Sequence, residues 1–111
     1  MNVLTMQISG RTVAAGKVTA GLSREALKIQ ADAIKIARTG TNIIQTPDNL
    51  DNIVGMMDDL LALKDRKAWL LCKVYGDQFT LDELESSLTE LEIDAEINRI
   101  ISGIAGIITK N

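Results

Sequence analysis

Apolar and polar residues first alternate along this chain and then settle into steps of three and four. Leu4, Met6 and Ile8 alternate with Thr5, Gln7 and Ser9, which predicts a short strand or extended arm ending at Ser9-Gly10. Alone, such a strand is too short to be a sheet. Beyond Gly16 and Gly21, Leu22, Ala26, Ile29, Ala33 and Ile36 recur at helical spacing, and Leu27 and Ile34 widen the stripe. Thr19 or Ser23 suits the start of this helix. Arg38 and Gly40 suit its last turn and the residue beyond, so "TNIIQ" reads as a short connection.

Thr46-Pro47 opens a second helix, because proline at the first helical position loses no needed hydrogen bond. Asp48 and Asp51 complement the positive end of its dipole. Leu50, Ile53, Val54, Met57, Leu60 and Leu61 are expected to form its buried stripe, which can continue through Ala68, Leu71 and Tyr75. One long helix and two shorter ones both fit; a break or bend near Lys64-Asp65 is favoured, since a helix running to Tyr75 exceeds the usual length in so small a domain. Gly76 ends the segment, Thr80 with Glu83 forms a capping box, and a short helix over about 81 to 88 follows. In the last segment Ile93, Ile97, Ile100, Ile101, Ile104 and Ile108 share one broad face. Gly103 and Gly106 weaken it by roughly 1 kcal/mol each, which predicts fraying after about Ile104.

The expected fold is all-α: a small bundle of four to five helices behind a short extended N-terminal arm or strand. Residues 1–18 form the arm, and 19–111 complete a single helical domain. Composition agrees. Hydrophobic residues make up 46% and charged ones 24%, a folded rather than a disordered balance, and only three aromatics are present, so aliphatic side chains must pack helix against helix. No internal repeat or linker interrupts the chain.

Chemistry is harder to place. The chain has no histidine and one cysteine, Cys72, which rules out an internal disulfide, leaves zinc almost without ligands, and points to the cytoplasm. The start "MNVLTMQISGRT" lacks the pattern of a secretory signal, and no apolar run approaches the ~20 residues of a membrane span. Asp58-Asp59 and Asp82-Glu83 are sequence neighbours that point to different parts of a helix surface. They read as solvated or first-turn acids rather than a catalytic pair. Cys72, between Leu71 and Lys73-Val74, reads as a small buried hydrophobe. "SGIAG" lacks the spacing and lysine of a phosphate loop. No enzyme and no cofactor is expected.

Charge is uneven despite a net of -3. Residues 1 to 40 hold six basic side chains (Arg11, Lys17, Arg24, Lys28, Lys35, Arg38) against Glu25 and Asp32, whereas residues 76 to 111 hold eight acids against Arg99 and Lys110. Such a chain can pair its own ends or offer an acidic face to a basic partner, and nucleic acid is an unfavourable ligand for the acidic half. A rival reading makes the basic first helix a DNA contact through Arg24, Lys28 and Lys35, although no helix-turn-helix spacing accompanies it.

All three aromatics, Trp69, Tyr75 and Phe79, fall within one helix end and the corner after it. They can plug the junction between helices or anchor a partner. The corner itself, Tyr75, Gly76, Asp77, Gln78, Phe79, Thr80, then Asp82, Glu83 and Leu84, resembles the tail assembly chaperones of long-tailed bacteriophages, especially siphophages of Gram-positive hosts. In that family an apolar helix end, Gly-Asn/Asp-Gln-Phe-Thr and an acidic turn recur near the C-terminus. The upstream "ISGRTVAAGKVTAGLSREALKIQADAIKIA" looks like the family's lead into its first helix, while "DNLDNIVGMMDDLLALKDRKAW" departs from the family pattern.

The resemblance implies a non-catalytic helical protein that acts in the host bacterial cytoplasm. It would bind the tape measure protein and keep it soluble while the tail tube polymerises, and be absent from the mature virion. It also implies a possible longer frameshifted form that meets the tail tube protein, with Lys110-Asn111 compatible with a slippery site, and a possible homo-oligomer. Candidate partner contacts are then Met56, Met57, Trp69, Tyr75, Phe79, Asp82 and Glu83, around a structural corner at Gly76 and Thr80. A structural head-tail component is a further alternative.

Overall fold

The computed structural model describes residues 4–45 and 50–109. Its elements are β1 (Thr5–Ile8), β2 (Arg11–Ala14), α1 (Ala20–Gln45), α2 (Leu50–Val74), α3 (Leu81–Ser87) and α4 (Glu90–Thr109). The chain is mostly helical, as expected, but the extended arm proves to be one half of a hairpin. Ser9 (φ 51°) and Gly10 (φ 77°) supply the two consecutive positive φ values of a tight two-residue turn, and Ile8 pairs with Arg11 directly across it. Strand alternation then buries Met6, Ile8 and Val13 on one side. A lone two-stranded hairpin is marginal in water, and this one gains its stability by lying on the helices.

α1 does not stop at Gly40. It runs on to Gln45, so the expected connection is its last helical residues. Gly40 is a packing residue: a Cβ there would meet the Met56 Sδ at 3.1 Å, and its absence lets α1 and α2 approach closely. The Thr46-Pro47 opening of the second helix lies outside the described residues. From Leu50 to Val74 α2 is unbroken, contrary to the expected bend at Lys64-Asp65. The charged stretch there holds helices together rather than ending one. Arg66 donates to Asp32 at 2.6 Å and to Glu25 at 3.1 Å on α1, Lys67 reaches Asp94 at 2.7 Å and Lys64 reaches Glu90 at 3.3 Å on α4. These pairs fix α1 antiparallel and α4 parallel to α2.

Burial is concentrated where α2's C-terminal half meets the hairpin, α3 and α4. Leu70, Leu71, Val74, Tyr75, Leu84 and Ile100 are almost wholly enclosed there. Ala26 and Ile29 of α1 join them, as do Ile97 and Ile101 of α4, in keeping with their helical spacing. The distal half of α2 differs from expectation. Leu50, Val54, Met57, Leu60 and Leu61 are exposed and Ile53 only half-buried; on α1, Leu27 and Ile34 face solvent too. The reason is geometric: α4 begins beside Lys64 and runs away from these residues. The molecule is accordingly elongated, 51 × 37 × 20 Å.

A capping box at Thr89 and Glu92, absent from the sequence reading, starts α4. The Thr89 N–H donates to Glu92 Oε1 at 2.9 Å, and the Glu92 N–H donates to Thr89 Oγ1 at 3.2 Å. α4 stays helical to Thr109, past the expected fraying point; the Ile104 and Ile108 side chains lie outside the described residues.

Among the described residues, three carboxyls sit below their ordinary pKa. Arg66 holds Asp32 down, Arg11 holds Glu83 down, and the Thr89 backbone N–H holds Glu92 down. A carboxyl whose folded pKa is depressed stabilises the fold above its unfolded value, ordinarily 3.8 for Asp and 4.5 for Glu, and this is lost as pH falls through the folded value. Thermal denaturation followed by circular dichroism is therefore expected to give a nearly constant Tm down to about pH 5.5 and a progressive fall below it.

Candidate interaction surface

The corner after α2 is built first by its backbone. Gly76 (φ 66°) and Asp77 (φ 58°) are both left-handed. Their N–H groups donate to the carbonyls of Lys73 at 3.1 Å and Cys72 at 2.8 Å, the paired bonds of a Schellman helix end. Open space surrounds the position of a Gly76 Cβ, so glycine is favoured there by φ and not by crowding. Asp77 tolerates the same conformation and reaches back to Lys73 at 3.2 Å.

Gln78 ties this corner to the hairpin. Its Nε2 donates to the Tyr75 carbonyl at 2.8 Å and to the Ala14 carbonyl at 2.7 Å. In return Arg11 of β2 donates to the Gln78 carbonyl at 2.9 Å and grips the Glu83 carboxylate at 2.6 and 3.0 Å. Thr80 caps α3 as expected, its Oγ1 accepting from the Glu83 N–H at 3.1 Å, but the Glu83 carboxylate turns to Arg11 rather than back to the cap. Basic N-terminal and acidic C-terminal portions thus meet within one molecule.

This arrangement divides the candidate contact residues. Tyr75 is fully buried and Phe79 nearly so, their rings 6.1 Å apart and tilted at 43°, so they fill the junction and offer no surface to a partner. Glu83 is half-buried and engaged by Arg11, and Asp82 is exposed in the first turn of α3. Trp69 is 44% exposed on α2, and Met56 is half-buried beside Gly40. Met57 joins a larger apolar surface. With Leu50, Val54 and Leu61 it forms an outward line along the distal half of α2. Sequence reasoning found these residues by their periodicity but assigned them to the interior, because spacing shows that a face is apolar and not what covers it.

Two other features bear on chemistry. A groove of about 400 Å³ lies between the hairpin and α4, with Gln7, Thr12, Glu92, Glu96 and Arg99 among its lining residues. Its cation is already engaged: Arg99 donates to both Glu96 oxygens at 2.8 Å and to the Thr5 carbonyl at 3.2 Å. Cys72 is buried, and burial pushes its thiol pKa up, which disfavours the reactive thiolate. Among the described residues, no helix is long and apolar enough to cross a membrane.

The Tyr75 hydroxyl is buried without a hydrogen-bond partner among the described residues, and desolvation raises its pKa. Replacing Tyr75→Phe removes an unsatisfied group while keeping the ring, and is expected to raise unfolding stability by about 1 kcal/mol. Gly76→Ala is expected to lower it by about 1 to 2 kcal/mol through backbone strain alone. Urea denaturation of both variants checks the pair, and a destabilised Tyr75→Phe would reveal a hidden partner. Compared with known families, curated proteins and solved structures, the chain matches no family model, no curated protein and no solved structure.

Proposed function

We propose that this protein is a tail assembly chaperone that binds the tape measure protein of its phage and keeps it soluble while the tail tube assembles. The observation that carries this reading is the outward apolar line Leu50, Val54, Met57 and Leu61, more than half exposed at each residue on one long helix. A monomer that leaves such a face uncovered is suited to meeting another apolar surface, and methionine within it adapts to varied contours. The resemblance at Tyr75–Thr80 supports the same reading in a different way, as a structural signature. The corner's two rings, Tyr75 and Phe79, are buried, so they hold the helices in place rather than touch the client. In this view the protein acts in the host cytoplasm, does no chemistry and leaves before the virion is complete.

Co-expression with the tape measure protein encoded in the same gene cluster tests it. The client is expected in the soluble fraction as a complex with this protein, and in inclusion bodies without it. A client that stays insoluble in both cases would sink the reading.

A second reading has one observation in its favour. Arg24, Lys28, Lys35 and Arg38 are all exposed on α1 and recur at helical steps, as a phosphate-contacting face requires. The chaperone reading expects no gel shift of duplex DNA at about 150 mM salt; a salt-sensitive shift at micromolar protein would favour the regulator instead.

A further inference from the structure

Leu50, Val54, Met57 and Leu61 follow one another at steps of four, three and four, and Ala68, Cys72 and Tyr75 continue the same face along α2. The second group is buried in the half of α2 that packs against α3 and α4; the first is 73, 57, 56 and 59% exposed. One helical seam is therefore covered along half its length. Cover stops where Lys64 meets Glu90, the first residue of α4. Beside the seam run Asp51, Asp58 and Asp65, seven residues apart, each exposed and none paired with a described cation.

We propose that the uncovered half of this seam is the docking site for an amphipathic helix of the client that carries aliphatic residues at heptad spacing and lysine or arginine along one edge. The proposal rests on the chaperone reading and assigns the surface and the chemistry of its partner. Two observations select this occupant. The half of α2 that carries the covered part of the seam already packs against α3 and α4, so a helix laid in continuation of them meets the same ridges. The aspartates recur with the seam's own seven-residue period, so a partner helix in register presents its edge to all three at once, and basic side chains complement them.

A second copy fits less well. The outer face of α1 is basic, but it offers only Leu27 and Ile34, seven apart, to a line of four. Two α2 seams laid antiparallel about a twofold axis bring their own aspartates together, edge against like edge.

Binding of two synthetic three-heptad peptides, alike in their leucine and isoleucine positions but edged with lysine in one and glutamate in the other, tests this by fluorescence anisotropy. The lysine-edged peptide is expected to bind at least about tenfold more tightly at low salt, with the gap narrowing as salt is added. The triple variant Asp51→Lys, Asp58→Lys, Asp65→Lys is expected to invert the order. Val54→Asp with Leu61→Asp should abolish binding of both peptides at unchanged Tm, since both positions face solvent.

Equal binding of the two peptides, no binding of either, or failure of the triple variant to invert the preference overturns the proposal. So does a wild-type dimer, seen by ultracentrifugation, that the Val54→Asp, Leu61→Asp variant loses. The two levels separate in co-expression. If wild type and the seam variant both keep the tape measure protein soluble, this site falls while the chaperone reading stands; if wild type itself fails, the chaperone reading falls whatever the peptides do.

Discussion

The left-handed turn at Gly76–Asp77 is the constraint on which the rest of the structure depends. It ends α2 at one residue, turns the chain back along the helix it has just left, and sets Tyr75 and Phe79 into the junction. Gln78 then bonds the same turn to β2 while Arg11 of β2 reaches forward to Glu83. A shift of one residue in the helix end would rotate the exit of the chain by about 100° about the α2 axis and take Phe79 out of the junction and the Gln78 amide away from Ala14. Local backbone geometry and long-range assembly are therefore the same event here.

Around that corner the polar contacts are placed where apolar packing alone would leave freedom. Arg66 sets the register of α1 against α2, and Lys64 and Lys67 set that of α4, each with its carboxylate on a partly exposed rim. Such rim pairs add little to stability individually, and their value lies in choosing one sliding position among several that an aliphatic interface tolerates. A core with almost no aromatic ring has smooth ridges, so it needs such registers more than most. The same pairs explain why α2 survives its charged middle unbroken: every long cation there, Lys64, Arg66 and Lys67, has a destination on a neighbouring helix.

Much of the helical architecture was legible in the sequence, because periodicity and caps are local. The stripes Ala26–Ile29 and Ile97–Ile100–Ile101, the stop at Gly76, the Thr80 cap and the short α3 were all found that way. The misses share a cause. Gly40 looks like a terminator unless Met56 is known to lie against it, and Lys64-Asp65 looks like a break unless Glu90 is known to lie nearby. β2 was missed because its single buried residue, Val13, shows no alternation of its own; the Ser9-Gly10 dipeptide between two short extended runs was the available hairpin signal. The candidate contacts divide similarly: aromatic character singled out Tyr75 and Phe79, and only tertiary packing shows that both are spent on the interior.

The uncovered seam follows from these same constraints. α4 cannot slide toward Leu50 to cover it, because Lys64–Glu90 and Lys67–Asp94 fix its start and the Thr89 capping box forbids earlier helix. α3 cannot reach it either, being seven residues long and bound to the corner at Thr80. Exposure of Leu50, Val54, Met57 and Leu61 thus follows from the same contacts that set the position of α4, while α1 and α2 still meet closely at Gly40 and Met56. An apolar face held open by the arrangement of its neighbours is already formed, so anything that docks on it orders few groups on this side and keeps more of the contact energy as affinity.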